Sequence, residues 1–262
     1  MKNYRLKYVS LVILLMLLLS DITTSAQSNP AGKEPKSTHT WLGTDKTNIY
    51  SYDIDIRVVN FPTVVQAGWL YYFSLQVNFT GHDEWAHGGI QLANVEEFKY
   101  SNMKGVNWGG GSDWAGYGGI GRTNTPFIWE LGKWYRYRVW RLSQDAQGLW
   151  QWGFWVMDYT TGVNTQYGTV RTKSEYISTA VVWIETGYGV QCTSGRASVE
   201  WRNPVFQCAT PGQFLPNTGT ADYNGTCDGA NSTNQGLIST NPLTWFQTTN
   251  APRTVSLGQR LW

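Results

Sequence analysis

The sequence predicts an all-β fold, an antiparallel sandwich of two sheets of the jelly-roll type with a loop-rich C-terminal tail. Three observations lead to this prediction. Short segments in which apolar and polar residues alternate recur along the chain. The composition, with fifteen Trp, fifteen Tyr and 28 Gly, is rich in residues that favour strands and tight turns. Beyond the N-terminus, no segment has the 3.6-residue periodicity of an amphipathic helix, so alternating strands and helices are not expected.

Apolar side chains occupy every second position of residues 50–58 and again of residues 69–77, which is the pattern of half-buried strands. Five more segments have a similar strand pattern: residues 134–142, 149–157, 166–171, 179–185 and 197–206. Turn residues separate them at 80–81, 145–148, 161–162 and 194–195. Many short strands in one series are typical of a sandwich or jelly roll.

The ends of the chain differ from this central part. Residues 1–26 have a basic start, an apolar run at 9–19 and the small residues Thr24, Ser25 and Ala26, which together predict a signal peptide. Residues 27–40 are polar and are predicted to be a disordered leader. The sandwich domain is expected at 41–206, and residues 207–262 form the loop-rich extension, because 29 of the 54 residues from position 209 are Gly, Asn, Thr, Ser or Pro. Its tryptophans, Trp245 and Trp262, predict that it packs on the sandwich.

The charge of the chain argues against nucleic acid as a partner. The full sequence has 20 basic and 18 acidic residues. Residues 1–26 contain three of the basic ones and one acidic one, which leaves 17 of each in the mature chain. No basic stripe remains to attract a phosphate backbone. After signal cleavage we expect a secreted protein with no membrane contact, since no stop-transfer sequence follows the apolar run.

Three cysteines predict one disulfide and one free thiol in an exported chain. If residues 181–185 and 197–206 form a hairpin, Cys192 lies in its loop and Cys208 at the far end of its second strand. Strand residues advance about 3.3 Å each, so these two sulfurs are too far apart to bond. Cys227 is therefore expected to pair with either Cys192 or Cys208.

Several short motifs occur in an order that resembles the secreted DUF3472 family. They are GGIQ at 88–91, VNW at 106–108, the glycine loop at 116–121, WELGKWY at 129–135 and VWIET at 182–186. The resemblance covers roughly residues 40–206. It implies a concanavalin-like, lectin-like jelly roll and no particular activity, because that family is uncharacterised. This chain departs from the family at Tyr117, Gly118 and Gly119, where an acid usually stands between glycines.

The glycine-rich segment WGGGSDWAGYGGIGR at 108–122 is the first candidate binding site. A sugar ring needs an aromatic plane for its C–H face and planar polar groups for its hydroxyls. Glu185, beside Trp183 in a predicted strand, is added to this set because it matches an acid of the family pattern. The predicted ligand-binding residues are Gln91, Trp108, Asp113, Trp114, Tyr117, Arg122 and Glu185. The alternative is that these rings fill the space between the sheets.

A second candidate surface lies on the strand at 134–140. Trp134, Arg136, Arg138 and Trp140 share one face of this strand because side chains alternate. Such a face could hold an acidic polysaccharide, or it could be a ladder of cation–π contacts on the outside of the sheet, which we favour. Both interpretations predict that this face is not core.

The sequence therefore predicts binding of an extracellular polysaccharide or glycan. The alternative is a jelly-roll glycoside hydrolase or polysaccharide lyase that uses Glu185 with Glu130 or with one of Asp53 and Asp55. Glu185 stands beside Trp183, where desolvation would raise its pKa. A third class is a structural or surface-interaction protein with no small-ligand site. No cofactor or metal is predicted, because His82 and His87 are five residues apart, which is not a zinc-ligand spacing.

Overall fold

A computed structural model describes residues 37–81, 83–95, 100–110 and 123–262. This part of the chain contains fourteen β-strands, all paired antiparallel, and one short 3-10 turn at Gly229–Asn231. The prediction of an all-β antiparallel fold is confirmed. The predicted signal peptide, residues 1–26, lies outside the described residues. In the described ranges, no helix is long and apolar enough to cross a membrane.

The strands follow the chain in order: β1 (Ser37–Gly43), β2 (Ile49–Asn60), β3 (Trp69–Phe79), β4 (Trp85–Val95), β5 (Tyr100–Gly110), β6 (Thr123–Pro126), β7 (Trp134–Gln144), β8 (Trp150–Asp158), β9 (Asn164–Thr172), β10 (Ile177–Tyr188), β11 (Ser198–Cys208), β12 (Thr218–Asn224), β13 (Thr233–Thr240) and β14 (Leu243–Thr249).

The pairing falls into two series, which we call layer A and layer B. Layer A has the order β13-β14-β11-β2-β7-β8-β9, and layer B has the order β12-β1-β10-β3-β4-β5-β6. A single pair, Ile49 with Ile177, connects β2 to β10 and joins the two series. The two sheets expected from sequence are thus one fourteen-stranded sheet, folded so that its two halves pack face to face.

The core between the layers is filled largely by aromatic rings. Trp108 of layer B stacks on Phe154 of layer A with ring centroids 4.9 Å apart and planes 10° from parallel. Side chains with less than 2 % exposure include Trp108, Trp129, Trp152, Trp201, Trp245, Tyr71, Tyr135, Tyr137, Phe73, Phe154 and Phe206. Large rings bury much apolar area each, so relatively few positions fill a broad sandwich.

Tyr137 links the layers by hydrogen bonds as well as by packing. Its hydroxyl accepts a hydrogen bond from the backbone N–H of Ile90 at 2.8 Å and donates one to the carbonyl of Phe73 at 2.9 Å. Ile90 and Phe73 lie opposite each other in the β4–β3 pair. A hydroxyl of layer A is therefore inserted beside the backbone ladder of layer B, one residue from Gln91.

Both ends of the described chain differ from the sequence-based prediction. The leader was expected to extend to residue 40, but β1 begins at Ser37 and pairs with β10 and β12. The extension at 207–262, predicted to be loop-rich, contains β12, β13 and β14. Many of its polar residues are threonines, which are β-branched and suit strands. β12 pairs with β1 and β14 pairs with β11, so the extension is part of the same sheet, and Trp245 is buried.

The disulfide joins Cys192 to Cys227, with a Cα–Cα distance of 5.5 Å. This is one of the two pairings that the sequence left open. It connects the turn after β10 to the segment that follows β12. Cys208 is a buried free thiol at the end of β11.

Candidate functional site

Three of the predicted ligand-binding residues are described: Trp108 lies on the core face of layer B, and Gln91 and Glu185 lie on the opposite face. Trp108 is fully buried between the layers, and a side chain at its pairing partner Gly88 would come within 2.7 Å of its indole ring. The glycine opposite thus makes room for the ring to turn inward, so Trp108 offers no plane to a ligand, contrary to the prediction. Gln91 points away from the core. The other predicted members, Asp113, Trp114, Tyr117 and Arg122, lie outside the described residues.

The second candidate surface lies on the face of layer A that points away from the core. Its guanidinium groups cover the indole faces: Arg202 lies 3.8 Å from the centroid of Trp134, and Arg138 lies 4.1 Å from that of Trp140. The neighbouring side chains Tyr135 and Tyr137 are buried on the opposite face of β7. This arrangement is a ladder of cation–π contacts. Stacked arginines leave little open ring surface for a sugar.

Asp53 and Asp55 belong to the same ladder, where arginines and neighbouring side chains donate hydrogen bonds to their carboxylates. Asp55 has no exposed surface and accepts hydrogen bonds from Arg136 at 2.7 Å, Arg202 at 3.2 Å, Tyr159 and Asn203.

Asp53 accepts hydrogen bonds from the indole of Trp140 at 2.8 Å and from Arg138. Burial raises the pKa of Asp53, against the lowering effect of these two partners. Paired in this way, Asp53 and Asp55 serve the structure of layer A, and neither is directed at a cleft.

Glu130 lies in the loop between β6 and β7, where its exposed carboxylate pairs with Lys133. Its backbone N–H donates to the hydroxyl of Tyr135 at 2.9 Å. Glu185 is on β10, on the face of layer B that points away from the core. The structure therefore does not bring Glu130 or the Asp53/Asp55 pair together with Glu185 as a pair of catalytic acids.

Glu185 instead shares a row with Gln91. In the strand register, Glu185 pairs with Tyr72 and Tyr72 pairs with Gln91, so the three side chains project from one face of layer B. We call them the Glu185–Gln91 row. Neighbouring strands lie about 4.8 Å apart, which places the backbones of Glu185 and Gln91 roughly 10 Å from each other. Gln91 and Tyr72 are buried, at 2 % and 5 % exposure, and Glu185 is half-buried.

Trp183 holds the carboxylate of Glu185 in place. Its indole N–H donates a hydrogen bond to Oε2 of Glu185 at 3.0 Å. The Trp183 ring lies between two imidazoles, those of His39 and His87, each with its centroid 5.6 Å away. The edge of Tyr72 completes the contact at 6.1 Å. A carboxylate with one oxygen bound to a packed indole has a fixed orientation.

The face continues beyond the row as an aromatic and polar surface. Burial lowers the pKa of His39, while the nearby carboxylate of Asp222 raises it in part, so the imidazole is uncharged at neutral pH. Asp222 accepts a hydrogen bond from the indole of Trp41 at 3.2 Å. Trp41 is 38 % exposed, and Trp85 on β4 is half-buried beside His87.

Sequence reasoning placed Gln91 and Glu185 in one predicted ligand-binding set but missed the groups around them. Tyr72, His39 and Asp222 come from three other strands, and no local signal joins them. The register of β3 between β10 and β4 supplies the connection. Within the described residues, no group of three or more His, Cys, Asp or Glu side chains is arranged to hold a metal ion.

No protein-family model matches the sequence, and a comparison with curated proteins finds no match. The resemblance to the DUF3472 family stays a prediction.

Solved structures with some similarity include two peptidases and a carrageenase. The Scytalido-glutamic peptidase with a peptide-based transition-state analogue has a TM-score of 0.45 and 11% identity over 82% of this chain and 98% of its own. SCP-B, a member of the Eqolisin family of peptidases in complex with the tripeptide Ala-Ile-His, has a TM-score of 0.45 and 10% identity over 84% of this chain and 100% of its own. The kappa-carrageenase from Pseudoalteromonas carrageenovora, in complex with an oligotetrasaccharide of kappa-carrageenan, has a TM-score of 0.32 and 10% identity over 84% of this chain and 78% of its own. Because these identities and TM-scores are low, the roles of residues in this chain are inferred from its own geometry.

Proposed function

We propose that this protein is a secreted hydrolase that cleaves amide bonds in extracellular polypeptides at the Glu185–Gln91 row. The observation that supports this most directly is the placement of one carboxyl and one carboxamide on the same row of one face, with Tyr72 between them. The disulfide and the predicted signal peptide at 1–26 support an extracellular location.

The two groups have complementary chemistry for hydrolysis at a carbonyl carbon. The Glu185 carboxylate, half-exposed and oriented by Trp183, acts as the general base that takes a proton from water. The water oxygen then attacks the carbonyl carbon, and negative charge develops on the carbonyl oxygen. The Gln91 carboxamide N–H stabilises that oxyanion, and the protonated Glu185 returns its proton to the leaving amine.

The same geometry argues against glycoside cleavage at this face. That reaction needs two carboxyl groups at about 5–5.5 Å or at about 6.5–9.5 Å. Of the described residues that we place on this face, Asp222 is the other carboxylate. In the strand register, Asp222 lies two strands and two residues away from Glu185, so the backbones of these two residues are roughly 12 Å apart. A carboxyl with a carboxamide therefore suits an amide substrate better than a glycoside.

A second candidate function, non-catalytic binding of a glycan, is favoured by the aromatic groups of the same face. Trp41 is well exposed and Trp85 is half-buried, and polar groups such as Asp222 lie beside them. An aromatic plane next to a hydrogen-bonding carboxylate suits the apolar face and the hydroxyls of a sugar ring.

The test compares the mature chain with three variants on a protein substrate and on a panel of polysaccharides. New amino groups report amide cleavage, and new reducing ends report glycoside cleavage. Glu185→Gln is expected to lower amide cleavage by about 10²–10⁴-fold, the range for loss of a general base. Gln91→Ala is expected to lower it by about 10²–10³-fold, the range for loss of an oxyanion donor.

Glu130→Gln is the matched control, because it neutralises an exposed glutamate away from the row, and it should keep the activity of the parent chain. Circular dichroism and thermal unfolding check that each variant is folded. Full amide cleavage by Glu185→Gln would contradict the proposal. Binding on a glycan array, with no release of amino groups or reducing ends, would replace it with the second candidate.

A further inference from the structure

A cavity of about 590 Å³ opens between the two layers at one end of the sheet. It is formed by the loop between β2 and β3, the loop between β6 and β7, and the strands β4 and β5. Its apolar walls include Phe61, Val65, Leu92, Ile128, Trp129 and Leu131. The volume lies within the range of cavities that hold small organic ligands.

The cavity contains one charged side chain, Lys104, among the described residues that line it. The Lys104 ammonium donates to the carbonyl of Trp129 at 2.5 Å and lies 4.2 Å from the centroid of that indole. In the part of the chain that the structure describes, no carboxylate comes within ion-pair distance of Lys104. Partial burial lowers its pKa, although the more distant Glu130 opposes this effect. Among the described residues, Lys104 is thus a partly buried cation with no neutralising partner.

The mouth of the cavity exposes large apolar side chains. Ile128 is 82 % exposed and Leu131 is 52 % exposed, and both line the cavity. Val64, next to lining residues 62, 63 and 65, is 68 % exposed. Apolar surface around a concave opening is typical of a binding site. Trp129 is fixed by a hydrogen bond from its indole to the backbone carbonyl of Gln91 at 3.0 Å, so the inner wall is preformed.

We propose that this cavity binds a small apolar monocarboxylate, with its carboxylate on Lys104 and its hydrocarbon body against Trp129, Leu92 and Phe61. The ammonium has three donors, and the Trp129 carbonyl takes one of them. A ligand carboxylate accepts the others and supplies the missing negative charge. The hydrocarbon body covers the apolar walls, which excludes water from the ion pair and strengthens it. The site is on the core side of layer B and is independent of the Glu185–Gln91 row.

Isothermal titration calorimetry with decanoate and with decanol tests this assignment, because the two ligands share a chain length and differ in charge. The parent chain is expected to bind decanoate about 10–100-fold more tightly than decanol, the ratio that a hydrogen bond to a charged group gives. Lys104→Met should abolish this preference while decanol still binds. Lys133→Met, which removes a neighbouring lysine that pairs with Glu130, should keep it.

Three results would overturn the proposal: equal affinity of the parent chain for decanoate and decanol, a preference for decanoate that survives in Lys104→Met, and no binding of either ligand to the parent chain. If Lys104→Met does not fold, Lys104→Gln, which keeps a donor for the Trp129 carbonyl, provides the same comparison. Glu185→Gln should bind decanoate like the parent chain. The outcome is thus separate from that of the amide-cleavage test.

Discussion

Replacement of Tyr137 by Phe tests how the two layers are held together. The side chain has no exposed surface, and burial raises the pKa of its phenol well above the usual value, so the hydroxyl is protonated at any working pH. It therefore both accepts from Ile90 and donates to Phe73, which are themselves fully buried. Tyr137→Phe removes one oxygen and leaves a backbone N–H and a carbonyl without this partner in the core.

The expected loss of stability follows from those two backbone groups. A buried polar group that loses its partner costs about 1–3 kcal/mol, and Phe fits the space of the ring without creating a large cavity. Two such groups give an expected loss of about 2–4 kcal/mol in the free energy of unfolding, since a small shift of β3 towards β4 recovers part of the cost. With a urea m-value of about 2 kcal/mol/M, the unfolding midpoint moves down by roughly 1–2 M.

Urea unfolding followed by tryptophan fluorescence measures this shift. Tyr135→Phe is the matched control, because it removes a hydroxyl from the same strand that accepts one hydrogen bond from the loop residue Glu130. The backbone N–H that loses this partner belongs to Glu130, an exposed loop residue that water can reach, so a loss of about 1 kcal/mol or less is expected. If both variants have the same midpoint at unchanged m, the inference that Tyr137 joins the layers is refuted.

Two further predictions concern other parts of the fold. Asp55→Asn leaves Arg136 and Arg202 without their buried countercharge, so the free energy of unfolding should fall by about 3–5 kcal/mol in urea unfolding. Asp45→Asn, at an exposed position, is the control and should leave the urea midpoint unchanged. An unchanged midpoint for Asp55→Asn as well would contradict the inference that the ladder stabilises layer A. Replacing both Cys192 and Cys227 by Ser should cost about 3–4 kcal/mol, because the bond closes a loop with a sequence separation of 35. In urea with a thiol reductant, the parent chain should unfold at the same midpoint as this variant. If the bond is shown to be reduced and the midpoint of the parent chain does not move, the prediction is wrong.

Local patterns predicted the faces of regular strands well. In β7 the alternation of charged and apolar residues placed Arg136 and Arg138 on one face and Tyr135 and Tyr137 on the other, as the structure has them. The pattern works there because side chains on a strand alternate whatever its neighbours are. Around Trp108 the pattern is short, because Val106 alternates with it but only glycines follow, so the sequence alone did not decide which face it takes. Its inward position depends on Gly88 of another strand.

The extension after residue 206 shows a second limit of prediction from the sequence. A count of polar residues grouped Thr with Gly and Asn, although Thr favours strands and the other two favour turns. Gln247 and Thr249 are fully buried in β14, where hydrogen bonds to partners such as Thr40 and Ala197 replace water. Those partners are far away in the sequence, so burial of polar side chains there was not predictable from composition.

The sequence by itself determined that the chain is all-β and antiparallel, because strand periodicity is a local property, visible as the alternation of apolar and polar residues. It also limited the disulfide to two pairings and placed Gln91 and Glu185 among the candidate binding residues. The tertiary structure alone decided that these two side chains share a row, since they are 94 positions apart and meet through β3. Strand order and register arise from the packing of the whole sheet, and no short segment contains the information that fixes them.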